Sequence, residues 1–395
     1  MSRFKALLFV IVVTIPPAFS QDPADDIDPA TGLARSTVVR PLREGAPPPD
    51  PRAAQREAIP AQAKPHIALI LPTTSPQLGV VAEAVRLGFV AAVEAAGAGA
   101  PPVLFIPVES EGPPLVDACR HAQRNGAVLI VAGLTRDGAS TLARSDCPRL
   151  PVLALNEPQG FASRGPDLGP GDLPANLYHV SLSLEHEARQ VALLAVADGW
   201  RAAIVIASPS PLARRVQEAF EREWARAAGE IRRASFSGNP EEAPALKERI
   251  ANTRGDMVFL ALDTPEARAV RPYLGAALPV YATSMSVDPR AEPLVNVDLQ
   301  GVRYVEMPWF VQPDHPAVMV YPQPKGAGSS DRERLYALGI DAFRLSLLLL
   351  RPEPPRAPLD GVTGRIVLGA GNGFIRTLTP AEVDSGRVVA IKGAQ

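Results

Sequence analysis

Ten residues with chemistry to offer fall at one kind of place, the loop after a predicted apolar strand. Thr73, Thr74 and Ser75 follow the first such strand, Gly133 and Thr135 a second, and Asn156 and Glu157 a third. In the later half Ser208, Asp263 and Ser284 stand at equivalent positions. Loops at the carboxyl ends of parallel strands are where ligands meet open α/β sheets. Hydroxyls and unpaired N–H groups near helix starts hold a carboxylate, and Asp263 is suited to an ammonium. The set therefore suits an amino acid or small peptide held between two halves. Each residue alone reads first as a helix cap, since every helix start needs one.

Other chemistry finds little support. The histidines His66, His121, His179, His186 and His315 show neither HExxH nor paired metal spacing. His186, between Glu185 and Glu187, reads as part of a solvated helix face. Neither a GxSxG elbow nor a GxxxxGK[ST] phosphate loop is present. GAGNG at 369–373 follows a strand but opens no helix, so it reads as a hairpin turn. The expectation is a protein that is not an enzyme, with no cofactor and no metal. Net charge is −2 and aromatics are 5% of the chain, which argues against a nucleic-acid partner. Trp309, after Met307 and Pro308, is either a surface anchor for a partner or a plug between domains. Cys119 and Cys147 are one strand–helix unit apart. Export would make them a disulfide candidate, with two buried thiols as the alternative.

These residues need a frame, and the stretch 256–284 shows its unit. An apolar strand, Met257–Leu262, leads to Asp263-Thr264-Pro265, a cap followed by proline in the first turn, where a missing donor costs nothing. The helix stops at Gly275, and a second strand covers Pro279–Thr283. The same alternation runs from His66, whose strand HIALILP is apolar throughout, as a sheet covered on both faces requires. Repetition of the unit predicts right-handed βαβ connections and doubly wound sheets. After Ser284 the pattern changes to a strand at Gly301–Glu306, a long helix from about Glu333 to Leu350, a hairpin around 369–373 and a short strand Arg387–Ile391.

Ahead of this frame, residues 1–20 read as a cleaved export signal: Arg3 and Lys5, an apolar run, then Ala18-Phe19-Ser20. The run is too short to span a bilayer, so the mature chain is expected to have no transmembrane anchor. No cysteine follows the cleavage pattern, so the expectation is a periplasmic protein without lipid attachment. Residues 21–64 are proline-rich and lack apolar periodicity, which reads as a flexible linker.

FLALDTPEARAVRPYLGAALPVYATS, DLQGVRYVEMPWF, ERLYALGIDAFRL, LDGVTGRIVL and VSLSLEHEARQVA resemble the C-terminal domain of the LppC-type penicillin-binding protein activators. The resemblance covers roughly 330 residues, from about Lys64 onward. It implies an α/β type 1 periplasmic-binding-protein-like fold, with two doubly wound parallel-sheet lobes joined by crossover strands. The expected division is 65–183 plus 303–356 for lobe 1 and 184–302 plus 357–395 for lobe 2, with hinges near Ser183 and Val302. The resemblance further implies a non-enzymatic regulator whose partner is a class A penicillin-binding protein in peptidoglycan synthesis. The other reading of the fold is the solute receptor of an ABC importer for an amino acid or small peptide.

Overall fold

A computed structural model describes residues 64–391, apart from 161–172, 228, 325–328 and 354–356. The signal segment and nearly all of the proline-rich linker lie outside the described residues. The chain divides into units 1–60 and 61–395, and the described residues all belong to the second.

The first lobe begins with β1 (His66–Leu71), α1 (Gly79–Ala96), β2 (Val103–Pro107), α2 (Pro113–Arg124), β3 (Ala127–Ala132), α3 (Arg136–Arg144), β4 (Val152–Ala154) and β5 (Leu177–Val180). All six residues of β1 are buried, as the unbroken apolar run requires. The chain crosses to the second lobe through α4 (Leu184–Ala197), β6 (Ala202–Ala207), α5 (Pro211–Ala227) and β7 (Glu230–Ser235). It continues there with α6 (Ala243–Ala251), β8 (Met257–Ala261), α7 (Thr264–Val270), β9 (Val280–Ala282), α8 (Pro293–Asn296) and β10 (Val302–Glu306). The last elements are α9 (Pro308–Val311), α10 (Ser330–Leu349), β11 (Leu359–Asp360), β12 (Arg365–Leu368), β13 (Gly373–Thr377), β14 (Thr379–Asp384) and β15 (Arg387–Ala390).

Two sheets result, ordered β11-β12-β13-β5-β4-β3-β1-β2 and β15-β14-β10-β9-β8-β6-β7. Both are parallel except at one edge, where β11, β12, β14 and β15 pair antiparallel. The expected division between lobes needs correcting at its late boundaries. β10 stays in the second sheet, with Val302 opposite Val280, so the chain crosses after Glu306 and not at Val302. The 369–373 hairpin joins the first sheet through Gly373 opposite His179, and a third crossing falls at Leu378. Strand periodicity reports burial and not which sheet a strand joins, so the pattern alone could not assign these strands.

Local signals act as the residue types dictate. Asp263 caps α7 by accepting from Glu266 N, while Glu266 accepts from Asp263 N, a reciprocal capping box. Helices α1 and α10 cross closely because Gly88 and Gly339 meet the facing backbone. A Cβ on Gly88 would fall on the Tyr336 carbonyl, and one on Gly339 on the Val85 carbonyl. This seats α10 over the first sheet, with Phe89 and Phe343 edge to face at 5.3 Å. Cys119 on α2 and Cys147 form a disulfide, with Cα atoms 6.0 Å apart.

Candidate functional site

The three crossings lie side by side, and a buried set of charges ties them together. Glu187, Glu306, Arg334, Asp341 and Arg376 all lie at 8% exposure or less. Arg334 Nη2 donates to Glu306 Oε2 at 2.7 Å, and Met307 N donates to Glu306 Oε1 at 2.8 Å, fixing the second crossing. Arg376 donates to the carbonyls of Ser181 and Thr363, each at 2.9 Å, and so pins the first crossing. Gln190 clasps the third crossing, donating to Arg376 O and accepting from Leu378 N. Asp341 accepts from Val362 N, Thr363 N and Thr363 Oγ1, and pairs with Arg344 at 3.2 Å. Three guanidiniums thus meet three carboxylates. Burial opposes the charge on both Arg334 and Arg376. Glu306 and Glu187 overcome it for Arg334, whose pKa is raised, whereas Arg376, bonded to neutral carbonyls, is left lowered.

On the other side of the junction lies a cavity of about 170 Å³. Leu134 and Leu155 line it from the loops after β3 and β4, Leu335 and Leu338 from α10, Leu182 and Leu184 from the first crossing, and Leu212 from α5. Its polar lining is Arg136, Asn156, Ser183, Glu185 and Arg215. Glu185 is the centre of that set. It accepts from Arg136 Nη2 at 2.8 Å across the lobes, from Arg215 Nε at 2.9 Å, and from Ser183 Oγ at 3.0 Å. Burial acts to raise its pKa, but its own backbone amide, Arg136 and Ser183 outweigh that and pull it down to about 2. Beside the cavity, burial pushes Glu157 up, against the pull of Arg136 and Arg189.

The structure distributes the ten expected residues unevenly. Only Asn156 lines the cavity. It donates to Leu134 O and accepts from Glu157 N, and Glu157 faces the same charges. Gly133, at φ 69°, and Thr135 turn the chain into α3, and the anion position there is already filled. Glu111 accepts from Leu134 N at 2.6 Å, Thr135 N at 2.7 Å and Thr135 Oγ1 at 2.6 Å. The loop expected to receive a ligand's carboxylate holds the protein's own, on the amides of Leu134 and Thr135 just ahead of α3. Asp263 is exposed and committed to its capping box, so it is not placed for an ammonium. Ser284 is buried, and its N–H donates to Glu187. Ser208 is buried at the end of β6, Ser75 Oγ accepts from Leu78 N, and Thr73 and Thr74 lie away from the cavity lining.

Burial decides one open reading and overturns another. Trp309 is 1% exposed, packs on Tyr336 with ring centres 5.5 Å apart, and donates to Glu333. It is a plug at the second crossing and offers no surface to a partner. The helix face at His186 is not solvated: Glu187 is buried, and burial with nearby Arg189 and Arg376 lowers the His186 pKa to about 4. Sequence reading passed over Glu111, Arg136, Glu185 and Arg215. The acidic pair flanking His186 was the available signal, and charge at helical spacing misassigned it to solvent. Among the described residues no group of three or more His, Cys, Asp or Glu is placed to hold a metal. No helix among them is long and apolar enough to cross a membrane.

Two α/β lobes, three adjacent crossings and a cavity at the junction define the type 1 periplasmic-binding-protein fold. The family model described as "LppC putative lipoprotein" matches residues 56–252 and 246–386, and the chain belongs to that family. Penicillin-binding protein activator LpoA of Pantoea ananatis is 25% identical over 327 residues, covering 71% of this chain and 46% of that protein. The Escherichia coli K12 protein of the same name is 24% identical over 332 residues, covering 72% and 47%. The chain therefore spans about half the length of the curated relatives it matches. Among solved structures, a "putative branched-chain amino acid ABC transporter" from Chromobacterium violaceum superposes with TM-score 0.67 at 34% identity, covering 81% of this chain and all of that one. The LpoA C-domain of Haemophilus influenzae, described as a regulator of PBP1A, gives TM-score 0.65 at 22% identity, covering 82% and 99%. The family's description as a lipoprotein overturns the expectation of a protein without lipid attachment, since it implies a lipid-bearing cysteine.

Proposed function

We propose that this chain is a non-catalytic regulator that activates a class A penicillin-binding protein in peptidoglycan synthesis. Membership in the LppC family carries the reading, together with alignment to the LpoA activators across the two-lobed region. The geometry supports action by contact and posture. At the crossings Arg334 pairs with Glu306 and Arg344 with Asp341, while Arg376 and Glu187 are held by backbone groups, and the cavity's one carboxylate is held by two arginines and a serine. A regulator of this kind shifts its partner only as far as it binds the active state more tightly; tenfold activation corresponds to about 1.4 kcal/mol of differential affinity. The test is glycan polymerisation and cross-linking by a cognate class A synthase on lipid-linked precursor, with and without this protein. A several-fold rise in rate is expected. An unchanged rate with every class A synthase of the same organism would remove the reading.

A second reading, a solute receptor, is favoured by the Chromobacterium violaceum structure, which matches over its whole length at 34% identity. Under it an amino acid or small peptide sits between the lobes. Small-angle scattering that showed no lobe closure with any amino acid or short peptide would count against it.

A further inference from the structure

We propose that the junction cavity binds a small monocarboxylate with a branched aliphatic body, its carboxylate on Arg136 and Arg215 and its body among the leucines. Three observations carry this. The first is charge: Arg136, Arg189 and Arg215 face Glu157 and Glu185, three cations against two carboxylates. Arg222 and Glu223, next to Arg189, offset each other. The second is donor supply. Arg136 commits only Nη2 to Glu185 and Arg215 only Nε, and each guanidinium carries five N–H donors in a planar fork that suits a carboxylate. The third is shape. Seven leucines line a space of about 170 Å³, and an apolar cavity of about 150 Å³ accommodates a benzene-sized molecule.

The same geometry separates a simple carboxylate from an amino acid. Glu185 is the only acidic residue in the lining, and its oxygens already face Arg136, Arg215 and Ser183. An ammonium entering the cavity therefore meets leucines, guanidiniums and the already bonded Asn156 and Ser183, while Glu157 beside the cavity lies under the pull of Arg136 and Arg189, and burying a charge without a full partner is unfavourable. The loop ahead of α3 is no alternative, because Glu111 takes the amides of Leu134 and Thr135 and the Thr135 hydroxyl caps Gly138 N. Glu185 thus competes with the ligand for the two arginines. This goes beyond both functional readings, since a filled cavity would load a receptor or bias a regulator.

Calorimetry on the full chain with 4-methylpentanoate, 4-methylpentanamide and leucine tests it, and reads the cavity separately from the polymerisation assay. The carboxylate is expected to bind saturably with a Kd at or below about 1 mM, and the amide and leucine at least tenfold more weakly. Glu185→Gln, which releases the arginines, is expected to tighten carboxylate binding several-fold. Leu212→Trp, at a half-buried position on α5, is expected to abolish it by filling the space. Absence of saturable heat with 4-methylpentanoate overturns the proposal. So does equal binding of the amide or of leucine, weaker binding by Glu185→Gln, or unchanged binding by Leu212→Trp.

Discussion

The lobe junction has two sides built from the same residue types, and they differ in one respect. At the crossings, buried Arg334 and Arg376 and half-buried Arg344 meet the buried carboxylates Glu187, Glu306 and Asp341, with nearly every oxygen bonded. At the cavity, Arg136, Arg189 and Arg215 meet Glu157 and Glu185, with space left over and partly exposed guanidiniums at the rim. A balanced, desolvated set has nothing to offer a newcomer. An unbalanced set around a space walled partly by leucines does. The charge count and the open space, and not the abundance of polar residues or of spare donors, separate the part that holds the lobes from the part able to take a ligand, since Arg334 Nε at the crossings also lacks a partner.

The largest expected effect lies at the crossings. Glu306→Gln leaves Arg334 buried without its partner and should cost about 3–5 kcal/mol in urea unfolding. A loss under about 1 kcal/mol would mean that water reaches this region and that the contrast fails. Glu111→Gln should cost less, about 1–3 kcal/mol, because three donors lose a charged acceptor. Faster hydrogen exchange at Leu134 and Thr135 would localise that loss to the start of α3.

A pH effect comes next. His179 and His186 have pKa values lowered to about 4, in both cases chiefly by burial. Their contribution is fully present above about pH 6.5 and declines as pH falls towards 4, because the unfolded chain then binds protons that the folded chain refuses. The melting temperature should drop over that window, and the double variant His179→Asn, His186→Gln should flatten the drop. Glu185 adds a separate, lower window. Its contribution is present above about pH 4.5 and is lost as pH falls towards 2. The smallest effect is expected from Arg215→Gln. Its side chain is 49% exposed, and pairs of that exposure contribute under about 1 kcal/mol. Urea unfolding that showed a loss equal to that of Glu306→Gln would erase the distinction between the two sides.

Much of the frame was legible in the sequence. Continuous apolar runs marked β1 and β8, Asp263 and Pro265 marked the start of α7, and GAGNG marked the turn between β12 and β13. These signals are local, set by backbone donors that need caps and by the difference between strand and helix periods. The site was less legible. Of ten loop residues singled out, Asn156 lines the cavity and Glu157 stands beside it, whereas Asp263 and Thr135 serve as helix caps and Ser75 braces the turn before α1. Trp309 was open to two readings until its burial chose one.

By itself the sequence determined the strand–helix alternation, the caps and turns, and the phrases that place the chain among its relatives. The tertiary structure alone decided which sheet receives β10 and β13, that Glu111 fills the amides of Leu134 and Thr135 ahead of α3, and that Glu185 joins Arg136 and Arg215 across the cavity. Arg136 and Glu185 are 49 residues apart, and Arg376 and the Ser181 carbonyl 195 apart. Periodicity and capping act over a few residues through the backbone. Charge pairing acts through space, and only the folded topology decides which charges become neighbours.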